Sequence, residues 1–451
     1  MKQLLRILLA VPFLALPARG QIDIKFEQYK LPNGMTVILH EDHSAPVTAV
    51  VVMYHVGSKN EKQKRTGFAH LFEHMMFQGS SHVADEEHFR LLQEIGANIN
   101  GSTNEDVTNY FEVTPSNYME LGLYLESDRM GYLLPAMTQA KLDNQRDVVK
   151  NERRQGVDNV PYGTADEIIA KAMYPDTHPY SWPVIGYMED LSAAAMQDVK
   201  DFFSLYYAPS NAVLSIGGDF DPKEAKALVE KYFGAIPKGK DIVRPNPGPA
   251  SIPANIYKIN EDRVQLPRLY LSWHSPADFT REDAVLTVLA RIMSTGKNSR
   301  LYKSLVYDKQ IAQSANASAS SVEIAGMFQI TVTAKPGRNL TELKTVVDSV
   351  LAEVLAKGVT AKEIEDALAG VESGIVNRAA TVLGKANSLA NYYCQTGDPS
   401  NINKQWDLYK GITPDEVLTT AKKYLTKPYM SLSVVPTGKT ELGVMEGAKK
   451  P

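Results

Sequence analysis

Hydrophobic and polar positions fall into two similar series along the chain. In the first, Thr108-Asn109-Tyr110-Phe111-Glu112-Val113 alternates with the two-residue period of a strand. Pro115-Ser116-Asn117 then supplies a turn, and a helical apolar period runs from Tyr118 through Met130. The second series repeats this grammar with the strand Met327 to Val332, a Pro336-Gly337 turn and a helical run from Leu340 to Leu355. Each series closes with a helix and a strand. The first has a helix starting at Leu191-Ser192 and running through Phe203 before the strand Ala212 to Ile216. The second has a helix that opens at Ile412-Thr413-Pro414-Asp415-Glu416 and runs through Tyr424 before the strand Met430 to Val434. Two copies of one such unit predict an α+β protein of two similar α/β-sandwich domains related by an internal repeat.

Pro237, Pro245, Pro247, Pro249 and Pro253 lie between the two series and favour an extended, solvated passage with few backbone donors. A linker is therefore expected at 240–254, between a first domain at 21–239 and a second at 255–451. Residues 1–20 stand apart. Lys2 and Arg6 precede ten apolar residues from Ile7 to Leu16, and Ala18-Arg19-Gly20 forms a small-x-small exit, the pattern of a cleaved signal peptide. The apolar run is too short to span about 30 Å of hydrocarbon as a helix. A periplasmic protein with no membrane span after cleavage is expected.

Composition narrows the chemistry. Of 451 residues 44% are hydrophobic and 22% charged, which excludes a disordered or fibrous chain. Lys+Arg 48 against Asp+Glu 52 leaves a net charge of −4, which argues against a nucleic-acid surface. With Cys394 as its single cysteine the chain has neither a disulfide framework nor a cysteine-rich zinc site.

The stretch Gly67-Phe68-Ala69-His70-Leu71-Phe72-Glu73-His74-Met75-Met76-Phe77 carries the most chemical information. On a helix His70 and His74 project from one face a turn apart, so two imidazoles can hold one ion with Glu73 beside them. The order is that of the inverzincins. Two satisfied core histidines would give the same pattern, and a metal site needs a third ligand, which must be a carboxylate. The candidate is Glu152, on a helical run from Leu142 to Arg154 whose Val148 and Val149 face the core. Taken locally, Glu152 reads more readily as a solvated carboxylate paired with a neighbouring arginine than as a ligand.

These residues, together with Leu31-Pro32-Asn33-Gly34-Met35, Gln78-Gly79-Ser80, Val148-Val149-Lys150-Asn151-Glu152, Tyr207-Ala208-Pro209-Ser210-Asn211 and Gly217-Gly218-Asp219, resemble the family of pitrilysin, insulin-degrading enzyme and mitochondrial processing peptidase, in its half-length bacterial form. The resemblance implies a zinc endopeptidase that cuts unfolded peptides inside a closed dimeric chamber. One Zn2+ per chain would be held by His70, His74 and Glu152, with Glu73 as general base. It also implies that Asn98-Ile99-Asn100-Gly101-Ser102-Thr103 is an edge strand on which a peptide adds as a further strand, with Asn98, Asn100 and Gly101 as contacts. The family usually has Ala where Gly101 stands.

Two further features depart from the family. Many relatives have a second glutamate two helical turns before the third ligand; Gln145 occupies that place and can hydrogen-bond a ligand from behind without bringing charge. The substrate-binding Arg and Tyr of the second half are replaced by Val306 and Gln313. Two units make half of a clamshell, so the expected partner is a related subunit that lacks the zinc motif and brings the Arg and Tyr, with a homodimer as the alternative. The competing function is that of a catalytically inactive scaffold or binding subunit in a larger complex.

Overall fold

The described residues of the computed structural model are 23–248 and 250–445, so the segment 1–20 read as a signal peptide lies outside them. Six strands form the first sheet: β1 (Glu27–Lys30), β2 (Thr36–Glu41), β3 (Val47–Tyr54), β4 (Asn98–Thr103), β5 (Thr108–Pro115) and β6 (Ala212–Gly218), in the order β1-β2-β6-β3-β5-β4. Five form the second: β7 (Ile256–Asp262), β8 (Arg268–Ser275), β9 (Ala312–Ser321), β10 (Gly326–Ala334) and β11 (Met430–Pro436), in the order β7-β11-β8-β10-β9. The parallel pair β2/β6 and the antiparallel pairs leading to β4 recur as parallel β7/β11 and antiparallel pairs leading to β9. The repeat in the residue pattern is thus a repeat in topology, and the fold is the α+β arrangement of two similar units that the pattern predicts.

Burial varies with position in the sheet. Central β3, Val-Thr-Ala-Val-Val-Val-Met-Tyr, is buried along nearly its whole length, as a strand covered on both faces must be. Outermost β4 alternates exposed and half-buried residues. Five helices of the first half flank the site or bind the two halves together: α1 (Phe68–Met75), α2 (Glu87–Glu94), α3 (Met119–Ala136), α4 (Gln139–Arg153) and α5 (Ala165–Met173). Phe68, Leu71 and Phe72 of α1, Leu123 and Met130 of α3, and Leu142 and Val149 of α4 share a core with Val50, Val52, Leu214 and Ile216 on one face of the first sheet.

The other face is covered by the second half. Val382, Ala386, Leu389, Ala390 and Cys394, on the helix Val382–Thr396, pack against Ile38, Ala49, Val51, Met53 and Val213. The exchange is mutual, because Ala165, Ile169 and Met173 of α5 pack against Tyr270, Met430, Leu432 and Val434 of the second sheet. An ionic cluster joins the halves as well. Glu323, between β9 and β10, accepts from His55 (2.6 Å) and from buried Lys59, which also reaches buried Asp106 at 3.0 Å.

One element differs from the residue pattern. The single helix expected from Leu191 through Phe203 is two, Met188–Ser192 and Met196–Tyr206. The carboxylate of Asp198 accepts the Ala195 N–H at 3.1 Å and starts the second helix afresh, a local capping contact that apolar spacing does not register. Residues 237–248 form neither helix nor strand, yet Arg244 ties this passage to the first half by donating to His55 O (3.0 Å) and Asn211 Oδ1 (2.9 Å).

Candidate metal and catalytic site

Helix α1 begins at Gly67, whose φ of +82° and close packing leave no room for a side chain: a Cβ there would lie 2.7 Å from the Ile185 carbonyl oxygen. A glycine cap offers no side-chain acceptor, so the first N–H groups are satisfied from outside the helix. The buried Glu61 side chain accepts from Gly67 N at 3.0 Å and from Ala69 N at 2.8 Å, which satisfies two donors at that end of the helix, while burial pushes its carboxyl well above the ordinary range. Phe68, Leu71, Phe72 and Met75 fix the buried stripe, with Phe72 stacked on Phe202 and Tyr207. His70, Glu73 and His74 occupy the half-buried remainder.

Helix α4 starts at Thr138, whose hydroxyl accepts the Lys141 N–H, and buries Leu142, Gln145, Val149 and Arg153. Arg153 pins the last turn by donating to Gly186 O and Glu167 Oε2, both at 2.9 Å. The neighbouring Glu152 is thereby turned towards α1. Its Oε2 lies 3.3 Å from His74 Nε2 and 3.7 Å from His70 Nε2, and the two Nε2 atoms are 3.3 Å apart. A tetrahedral ion with bonds of about 2.0–2.1 Å separates its ligand atoms by about 3.3 Å, so the three side chains fit zinc. Burial, reinforced by the neighbouring charge of His74, holds His70 down to about 4, which leaves its ring neutral near pH 7 with a lone pair free to bind metal. Among the described residues this is the single group of His, Cys, Asp and Glu side chains with metal-binding geometry.

Glu73 points towards β4. Its Oε2 accepts the Thr103 hydroxyl at 2.6 Å, and burial pushes its carboxyl above the ordinary range. Gly101 approaches from the same strand: a Cβ there would sit 3.2 Å from Glu73 Cγ and 3.2 Å from the Tyr110 ring, so close packing rather than an unusual φ favours glycine. The other residues read as substrate contacts, Asn98 and Asn100, are exposed, and Asn100 Oδ1 accepts the Gly101 N–H at 2.9 Å. Gln145 is buried two turns before Glu152. Val306 is half-buried in the π-helix Tyr302–Asp308, and Gln313 is exposed on β9.

Several residues around the site escape the sequence pattern. Thr103 and Glu61 are ordinary polar positions until the chain folds. Arg129, three residues after Glu126, is fully buried, bonded to Glu126 and Glu112 and set 4.2 Å over the ring of Tyr110. An open cavity of about 740 Å³ begins just past α1, lined by Phe77, Phe89, Arg90 and Gln93 among others.

Residues 36–180 match the family described as Insulinase (Peptidase family M16), and residues 194–371 match the one described as Peptidase M16 inactive domain. The zinc protease PqqE of Helicobacter pylori is 27% identical over 375 residues, covering 82% of this chain and 84% of that protein. The crystal structure of a protease from Helicobacter pylori superposes with a TM-score of 0.85 at 24% identity, over 92% of this chain and 100% of that one. The periplasmic protease PqqL of Escherichia coli superposes at 0.78 and 17% identity, and there 95% of this chain matches 50% of the other. With both halves matched and the same two-sheet fold in these neighbours, the chain belongs to peptidase family M16.

Proposed function

We propose that the protein is a zinc-dependent endopeptidase for unfolded peptides, with one Zn2+ per chain held by His70, His74 and Glu152 and with Glu73 as general base. The observation that carries this reading is the convergence of His70 Nε2, His74 Nε2 and Glu152 Oε2 on one tetrahedral vertex set, with Glu73 next to His74 on the same helix. Zinc bound there supplies Lewis acidity to a water and to the scissile carbonyl. The chain's own part is positional. Glu73 keeps one carboxylate oxygen on Thr103 and turns the other to take the proton from the attacking water and pass it to the departing amine. Its raised affinity for a proton, a consequence of burial, suits it to both transfers. The peptide backbone adds along the outer edge of β4, so side-chain selection is broad.

The proposed catalytic unit spans 21–239, with a homologous second unit at 255–451 after the linker 240–254. Two units leave β4 open on its outer side, and a second subunit is proposed to close over it: a related chain without the zinc motif, or, failing that, a second copy of this one. No helix among the described residues is long and apolar enough to cross a membrane; the periplasmic location is proposed from the signal-peptide pattern of residues 1–20.

Metal analysis of the purified protein, followed by cleavage of an unstructured peptide with and without chelator, tests the reading. Zinc at one per chain and chelator-sensitive cleavage are expected, and Glu73→Gln should retain zinc while losing about 10²–10⁴ in turnover. The alternative of an inactive scaffold draws on the match of residues 194–371 to an inactive domain. A wild-type protein that holds zinc and cleaves nothing, with its native subunits present, favours that alternative.

A further inference from the structure

We infer that Thr103 is a positioning residue for Glu73, so that the strand receiving the peptide also holds the base. The inference rests on the proteolytic reading of the site. Three observations support it. Gly101 and Thr103 are two apart on β4 and therefore share one face, and that face meets Glu73: a Cβ at Gly101 would lie 3.2 Å from Glu73 Cγ, and the Thr103 hydroxyl is bonded to Oε2. The hydrogen-bond direction is fixed: Thr108, paired with Thr103 across the ladder, donates its hydroxyl proton to Val56 O at 2.9 Å. The Thr103 proton goes to the Glu73 carboxylate at 2.6 Å, the shorter of its two contacts, the other being 3.4 Å to Thr108 Oγ1. Finally, nothing else is bonded to the Glu73 carboxylate among the described side chains, so Thr103 alone sets which oxygen faces the water.

A glutamate tied at one oxygen keeps that oxygen on Thr103 and presents the other to the site. β4 is an outermost strand bonded on one side only, to β5. A peptide adding to its free edge stiffens it, and whatever fixes Thr103 fixes the base. Binding in register is in this way coupled to the orientation of Glu73, without any contact between the substrate and the threonine.

The test uses the full chain, purified from its own cells with any subunit that accompanies it, as wild type, Thr103→Val, Thr103→Ser and Glu73→Gln, and as the Thr103→Val/Glu73→Gln double variant. Valine keeps the shape and removes the donor; serine restores the donor. The expectation is a loss in kcat on the order of 10- to 100-fold for Thr103→Val, the range of one hydrogen bond to a charged group, with KM within about twofold. Thr103→Ser should recover to within about threefold. Zinc content, melting temperature and the affinity for an uncleaved peptide in the Glu73→Gln background should be unchanged by the valine. In the double variant it should add no further loss, because Thr103 acts only through Glu73. A Thr103→Val loss that appears in KM, that persists on top of Glu73→Gln, or that serine does not recover overturns the positioning role, as does full kcat in Thr103→Val. A wild type that cleaves nothing overturns the proteolytic reading itself, and Thr103's role with it.

Discussion

The helix Val382–Thr396 belongs to the second half in sequence but to the core of the first half in space, and its removal should abolish the metal site without touching it. Leu389 is fully buried there against Ile38, Val51, Met53 and Val213. Leu389→Ala removes three buried carbons and leaves a cavity, at a cost of about 2–5 kcal/mol. In a cooperative unit of this size that lowers the melting midpoint by about 2–6 °C. A fragment ending near residue 240 loses the whole helix and exposes Ile38, Val51, Met53 and Val213, each worth about 1.5–3 kcal/mol of burial, or about 6–12 kcal/mol together. That is comparable with the entire stability of an ordinary domain, about 5–15 kcal/mol, so the fragment should not fold. Zinc release and Trp182 fluorescence report on the first half, Trp273 and Trp406 on the second. In Leu389→Ala both sets of signals should shift together. A fragment 23–240 that melts cooperatively and holds one zinc, or a Leu389→Ala protein whose zinc release is unmoved, would refute the reasoning.

Gly101→Ala places a methyl group 3.2 Å from Glu73 Cγ and from the Tyr110 ring, so the base must shift by a few tenths of an ångström. Turnover should fall about 2- to 10-fold with zinc affinity intact, as steady-state kinetics and metal titration would reveal. Acid should weaken the tie between the halves. Burial alone pushes Glu323 up, but hydrogen bonds and charge from His55 and Lys59 pull it down to about 2. A carboxylate depressed from 4.5 to about 2 contributes its stabilisation above pH 4.5 and loses it as the pH falls through 2. Glu323→Gln should flatten that part of a stability profile measured by denaturant titration, and an unchanged acid slope would count against the assignment. Zinc at about a thousand times its Kd should add about 4 kcal/mol to stability, an increment that calorimetry should find missing in Glu152→Gln.

Residue order alone determined what depends on near neighbours in the chain. A helix sets His70 and His74 one turn apart whatever surrounds it, and strand alternation at Thr108–Val113 and Met327–Val332 is intrinsic to those segments, which emerge as β5 and β10 of matching sheets. Glu152 lay at the limit of this reasoning, since its own surroundings read as a solvated carboxylate. What brings it within 3.3 Å of His74 is the packing of α4 on the same core as α1 and the anchoring of Arg153. Thr103 at Glu73, Glu61 at the start of α1, Arg129 buried among carboxylates and the crossing of Val382–Thr396 onto the first sheet were decided only in three dimensions. The physical reason is the same in each case. Periodicity states that a face is apolar or that a side chain is polar, because those are properties of the segment; which distant segment covers that face or satisfies that atom is chosen by packing and hydrogen bonding over the whole chain, and a local pattern carries no record of it.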